Sequence, residues 1–298
     1  MKAKVDLHVH SSCSDGILSP KEIIDEAKKN GVSVIAIADH DTVEAYSEEL
    51  FDYAKINDIK LISAVEISTK LKKVGLHVLG YNIDLKSELL LKRLHSLRNA
   101  RHNYLNNVGE KLKELGYALN IEELDKIDAV TKAHIALDVV SNEKNSELLL
   151  KEFGHIPEKG EFIETIMNEG CPAYVLKGSI TPMEAAELIR SVGGKVVLAH
   201  PVACKYEDNL TSEETLKIVK NMRADGIEAN YIYIDRNNNK INEIKYWNDF
   251  AKENNLKTTS GSDFHVDDGI HPIIGLLNED INLSNDEVDE IVKWLEEN

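Results

Sequence analysis

Three cysteines in 298 residues, Cys13, Cys171 and Cys204, are too few and too far apart for a disulfide framework. No Cys-x-x-Cys pair is present to build a thiolate zinc site. No apolar run approaches the ~18 residues that a membrane-spanning helix needs, so a membrane is not an expected partner. Positive charge is scarce: 35 Lys and Arg stand against 52 Asp and Glu, a net charge of −17. Acidity on this scale argues against a nucleic-acid duplex or an anionic lipid surface. Sequence repeats and low-complexity tracts are also missing. The opening "MKAKVDLHVH" enters a strand pattern at once, without signal-peptide character, and the expected location is the cytoplasm.

What is present suits a large α/β barrel. Hydrophobic residues make up 42% of the chain and charged residues 29%, enough for a sizeable core. Seven short apolar runs read as strands: "AKVDLHV", "VSVIAIAD", "KLISAVEIS", "GLHVLGY", "KVVLAHP", "GIEANYI" and "LKTTSGSD". Helix starts between them carry capping boxes, Ser19 with Glu22, Thr181 with Glu184, Thr211 with Glu214 and Ser284 with Glu287. Pro20 at the first helical position and Gly31 beyond the end frame the first helix. Strands alternating with such helices predict parallel β/α architecture. Residues 86–170 break the rhythm and are expected as a helical insertion into a barrel formed by 1–85 and 171–298. "DRNNNKIN" reads as an exposed loop.

Residues able to bind metals recur at strand ends. His8 and His10 lie two apart, so on a strand they share a face, with Val5, Leu7 and Val9 on the other. Asp39 and His40 follow "VIAIA", Glu66 follows "LISAV", and His77 lies within "GLHVLGY". His200 ends "KVVLA", and Asp263 with His265 ends "TTSGS". Any one of these has a structural reading, a surface hydrogen bond or a helix N-cap. Six strand ends carrying them together predict a metal cluster at the carboxyl face of a barrel. Imidazole and carboxylate without thiolate suit zinc, manganese or iron alike.

The segments "DLHVHSSCSDG", "AIADHDT", "VEIS", "HVLGY", "LAHP" and "GSDFH", in this order, resemble the PHP (polymerase and histidinol phosphatase) phosphoesterases. The resemblance spans the chain and implies a distorted seven-stranded (β/α)7 TIM-like barrel holding three divalent metal ions. It assigns His8, His10, Glu66 and Asp263 to the first ion. Glu66 as a bridge, His77 and His200 go to the second, and Asp15, His40 and His265 to the third. Gly16 would let the loop turn so that Asp15 reaches back. Three ions bring +6 against −3 from Glu66, Asp15 and Asp263, so a phosphate is drawn to the cluster and not to the acidic surface. The implied chemistry is attack on a phosphate ester by metal-activated hydroxide.

"RNARHN", "KAHIA" and "PAYVLK" are similar to the subgroup acting on nucleotide phosphates. They nominate Arg98, Arg101, His134, Tyr174 and Lys177 for substrate, although Leu176 replaces a proline expected before Lys177. Asp6 and Asp39 lie beside ligand positions, Asp39 as an acceptor for the ring of His40 or for backbone. Glu228 supports the site or caps a strand, and Tyr231, Tyr233 and Asn237 to Asn239 form a rim. The expected substrate is a nucleotide-like phosphate ester such as a nucleoside 3′,5′-bisphosphate. A short single-stranded oligoribonucleotide trimmed from its 5′ end is the close second. Histidinol phosphatase is a weaker alternative, because Arg98, Arg101 and Lys177 favour an anion; a non-catalytic PHP module fits poorly with nine intact ligand positions.

Overall fold

The computed structural model describes residues 4–127, 130–175, 178–235, 237–275 and 283–297. Nine strands lie among them: β1 Lys4–Val9, β2 Val32–Ile37, β3 Lys60–Leu71, β4 Val74–Tyr81, β5 Lys195–Leu198, β6 Gly226–Asn230, β7 Ile232–Ile234, β8 Lys240–Asn242 and β9 Lys257–Ser260. Seven form one sheet in the order β1-β2-β3-β4-β5-β6-β9, so all seven expected strands are found. The remaining two pair antiparallel as β7–β8, so Lys240–Asn242 of the expected "DRNNNKIN" loop are strand, while Arg236 lies outside the described residues.

The sheet is not wholly parallel, as the alternating pattern had suggested. β3 and β4 make an antiparallel hairpin across eight residue pairs, Ala64–Tyr81 to Leu71–Val74, and β4 runs antiparallel to β5. Two residues join β3 to β4, too few for the crossover that a parallel pair needs. Among the described residues no ladder joins β1 to β9. Instead Val9 bridges Phe264, the Asp263 N–H donates to the His8 carbonyl (2.8 Å), and the His10 N–H donates to the Phe264 carbonyl (2.9 Å). The segment after β9 therefore lies along the end of β1.

Simple alternation also fails along β1. Val5 and Leu7 pack with Val34, Ala36, Tyr81 and Val197, and with Val288 and Leu295 of the helix Asn285–Glu296. Val9 packs instead with Ile23, Ile24 and Ala27 of the helix Pro20–Lys29. The β1–β2 register slips between Asp6 and Val9, where an irregular strand re-aims its side chains. The four capping boxes form as expected at Ser19, Thr181, Thr211 and Ser284.

The chain divides into two compact units, Met1–Leu94 with Ile180–Asn298, and His95–Ser179. The regular elements of the second are all helical among its described residues. It has its own core, in which Tyr104, Leu105, Val108 and Leu112 of the helix Glu88–Glu114 meet Ile135, Val139, Phe162 and Met167. Among the described residues no helix is long and apolar enough to cross a membrane.

Candidate metal centre

Glu66 is the hub. It lies mid-strand in β3, fully buried, and its two oxygens face different histidines. Oε1 lies 3.0 Å from His77 Nδ1, 3.2 Å from His200 Nε2 and 3.4 Å from His8 Nε2. Oε2 lies 2.8 Å from His40 Nδ1 and 3.4 Å from His10 Nε2. Asp263 Oδ1 lies 3.1 Å from His10 Nε2 and 3.4 Å from His8 Nε2. On the far side of His10, Asp15 is 3.5 Å from His10 Nδ1, 3.4 Å from His265 Nε2 and 3.7 Å from His40 Nε2. All nine residues singled out from sequence thus meet in one place.

Backbone pairing brings them there. His40 bridges Glu66 through the Asp41 N–H on the Glu66 carbonyl (2.9 Å) and the Glu66 N–H on the Asp39 carbonyl (3.1 Å). His77 is the fourth residue of β4, not its end as the strand-end reading required. It reaches the cluster because β4 runs backwards, and the Ala199 N–H on its carbonyl (3.1 Å) sets it beside His200. His200 and Asp263 hold positive φ, 25° and 54°. For non-glycine residues that costs on the order of 1–3 kcal/mol each and is characteristic of functional sites.

Side chains around the cluster hold it. Both oxygens of buried Glu228 face His8 Nδ1, at 3.0 and 3.1 Å, and Oε2 also accepts from the His200 N–H (2.9 Å). Sequence reasoning gave Glu228 no firm role, though a carboxylate inside the apolar run "GIEAN" was the available signal. A Cβ at Gly261 would collide with Glu228 Oε1 and His8 Cβ, so only glycine fits there. Gly16 serves by close approach to the His10 carbonyl. Asp39 accepts from the Ser11 N–H (2.7 Å), Ser11 Oγ (2.6 Å) and Ser14 Oγ (2.6 Å), so it fixes the turn that carries Asp15, where the ring of His40 was one expected partner. Asp6 accepts from the backbone of Ser262 (2.9 Å), Gly275 (2.9 Å) and His8 (3.4 Å). Burial, against those bonds, pushes its carboxyl up to about 6. The Tyr231 hydroxyl donates to Asp263 Oδ2 (3.3 Å).

Charge in the cluster is mutually tuned. Burial opposes ionisation of Glu66, but His77, His40 and His8 outweigh it and hold the carboxyl well below its ordinary range. Asp263 is held down in the same way by His8, His10 and His265. Burial, then repulsion from His265, lowers His10 to about 4. His265 is pulled down by burial, yet Asp15 and Asp263 raise it to about 9.

The donors fit divalent cations. Three sets present ligand atoms within 4.8 Å of one another: His10, Asp15, His40 and His265; His8, His10 and Glu66; and His40, Glu66 and His77. His10 Nδ1, Asp15 Oδ1 and Glu66 Oε2 are buried and crowded by other donors, yet make no hydrogen bond among the described residues. Lone pairs gathered at such separations without hydrogen-bond geometry point at a common cation.

The residues nominated for substrate belong to the helical unit. Arg98 is partly buried in the helix Glu88–Glu114; Arg101 lies in the same helix, its side chain outside the described set, as is Lys177 altogether. His134 Nδ1 accepts from the Thr131 N–H (3.2 Å) in a capping box, the structural role that its position at a helix start allows. Tyr174 receives Lys111 Nζ on its carbonyl (2.6 Å).

Comparison with known proteins agrees with the geometry. The PHP domain family matches residues 6–166. A 5′-3′ exoribonuclease of Haemophilus influenzae is 31% identical over 270 residues, 89% of this chain and 91% of that protein. A 3′,5′-nucleoside bisphosphate phosphatase of Chromobacterium violaceum is 26% identical over 268 residues, 89% and 88% of the two chains. Among solved structures, one described as an amidohydrolase from Chromobacterium violaceum, with bound sulfate and no metal, superposes with a TM-score of 0.68 at 24% identity over 90% of each chain, a likeness of fold. The chain belongs to the PHP domain family.

Proposed function

We propose that the chain is a metal-dependent phosphoesterase acting on nucleotide-like substrates. The observation that carries this reading is the convergence of nine imidazole and carboxylate side chains around Glu66 and Asp263. Three divalent ions would be held by His8, His10, Glu66 and Asp263; by Glu66, His77 and His200; and by Asp15, His40 and His265. When bound, such ions bring Lewis-acid charge to phosphoryl oxygens and lower the pKa of water toward ~7. The protein's own part is to fix the donors. Glu228 orients His8, Asp39 anchors the turn bearing Asp15, and Tyr231 engages the second oxygen of Asp263.

The substrate we favour is a nucleoside 3′,5′-bisphosphate, losing its 3′-phosphate. A second reading, removal of nucleotides from the 5′ end of a short oligoribonucleotide, is favoured by the Haemophilus influenzae relative, the more similar of the two. Both present the same frame, a 5′-phosphorylated nucleoside with phosphorus on its 3′-oxygen. Arg98, Arg101, His134, Tyr174 and Lys177 enter the proposal on their sequence resemblance, and alanine at each is expected to raise KM.

A product screen decides between the readings: inorganic phosphate is measured from adenosine 3′,5′-bisphosphate and histidinol phosphate, and nucleoside 5′-monophosphates from 5′-phosphorylated tetraribonucleotides, each offered with manganese, zinc or iron. A higher kcat/KM for the bisphosphate than for the tetraribonucleotide, and no turnover of histidinol phosphate, is expected; the reverse order of the first two favours the second reading. His8→Ala with Asp263→Ala should remove both turnover and bound metal while circular dichroism is unchanged. Full activity in a metal-free double variant would end the proposal.

A further inference from the structure

A cleft of about 290 Å³ opens directly beside the cluster, sharing Asp263 and His265 with it. It lies within the barrel unit, between the β7 strand and the loop after His265. We propose that this cleft receives the nucleoside part of the substrate, base and sugar, and not a second phosphate; the inference rests on the phosphoesterase reading above.

Three observations carry it. First, its position: a phosphate ester drawn to ions that Asp263 and His265 would hold must place its organic substituent in an adjoining space, and this cleft is contiguous with those two side chains. Second, its lining has the character of a base site. Tyr231 and Tyr233 supply aromatic rings, and Ile234, Val266 and Pro272 supply apolar surface. Planar bases stack on such side chains. Third, its charge is wrong for phosphate. Among the described residues no lysine or arginine lines it; apart from the ligand positions Asp263 and His265, its ionisable side chains are Glu207, Asp268 and His271, the last facing Asp268 Oδ2 at 2.7 Å. An anion would be repelled there, whereas a neutral group able to donate hydrogen bonds would not.

The walls are also held in place. The Tyr233 hydroxyl donates to Glu207 Oε1 (3.1 Å), and its ring stacks on Tyr206 with centroids 6.1 Å apart. The opposite wall is a loop tied by Asp268, which accepts from the Ile270 and His271 N–H groups (both 2.9 Å) and faces His271 Nδ1 (2.7 Å). A site fixed before binding loses little to ordering when the ligand arrives. Its volume lies near the lower end of the ~300–1,000 Å³ usual for small-molecule pockets, enough for one nucleoside and too little for a duplex.

The test compares adenosine 3′,5′-bisphosphate with its abasic analogue, 1,4-anhydroribitol 3,5-bisphosphate, on metal-loaded enzyme. In Tyr233→Ala, KM for the first should rise about tenfold or more, while kcat/KM for the analogue and the metal content stay at wild-type values. Tyr233→Phe, which keeps the ring but loses the bond to Glu207, should raise KM less than Tyr233→Ala does. Ile234→Trp, which fills the cleft, gives a second route to the same result if Tyr233→Ala does not fold. Equal changes for both substrates, or none for either, would overturn the cleft assignment. Adenosine alone, measured by calorimetry, should bind wild type and lose affinity in Tyr233→Ala. If wild type turns over no nucleotide, the phosphoesterase reading falls, and this binding result then decides the cleft by itself, absence of adenosine binding rejecting it.

Discussion

Glu228 sets both carboxylate oxygens against Nδ1 of His8, at 3.0 and 3.1 Å, with neither side chain exposed to solvent. An acceptor at that nitrogen keeps the proton on Nδ1 and leaves Nε2 as the lone-pair atom, facing His10, Glu66 and Asp263. The same carboxylate receives the His200 N–H, so one residue steadies donors on two sides of Glu66. Glu228→Gln should therefore lower metal affinity by about 10–100-fold. Chelator competition would measure this, and activity should return as metal is raised. Unchanged metal affinity would assign Glu228 to the fold alone.

Gly261 carries the same relationship one layer out. A methyl group there would meet Glu228 and His8 together, one of them through its Cβ, which cannot swing aside. Gly261→Ala is expected to cost about 1–3 kcal/mol in urea unfolding, the range for overpacking, and to weaken metal binding. Gly75, with open space around it, is the control: Gly75→Ala should leave metal affinity unaltered.

Much of the centre was legible because imidazoles and carboxylates at strand ends are hard to place for any other purpose. The nine positions from His8 to His265 are all found within one cluster. What escaped is what local pattern does not encode. His77 looks like a mid-strand residue until the antiparallel course of β4 puts the strand's beginning at the site. The period-two rule pairs His8 with His10 correctly, yet misplaces Val9 relative to Val5 and Leu7 because β1 slips register between Asp6 and Val9. Asp39 sits next to His40 in sequence, but its hydrogen bonds run to Ser11 and Ser14, 28 and 25 residues away. Neighbourhood in sequence and support in space are separate matters.

That tie yields a selective prediction. Asp39 satisfies three donors from Ser11 and Ser14, and the turn they form presents Asp15. Asp39→Ala leaves those donors unmatched in a buried place, at about 1–3 kcal/mol, and frees the turn. The expected result is loss of the ion assigned to Asp15, His40 and His265, with metal content by plasma mass spectrometry falling from the proposed three per chain toward two. Loss of all metal, or retention of all three, would contradict the assignment.

Metal uptake should also release protons, and the direction follows from the cluster's own charges. In the metal-free protein His265 is raised to about 9 by Asp15 and Asp263 against the pull of burial, and His8 and His200 are raised as well. The His265 ring is then protonated at pH 7.5, whereas a metal ligand must offer a lone pair, so binding displaces its proton. A raised pKa means the proton is held below about 9 and lost above it, so the release attributable to His265 should fade as pH passes that value. Calorimetric titration of metal into the apo protein, in buffers of different ionisation enthalpy, reads the number directly. Proton release near neutral pH, shrinking toward pH 9.5, is expected. A count of zero at pH 7.5 would mean that His265 is already neutral, and that Asp15 and Asp263 do not hold its proton in the way their distances to the ring require.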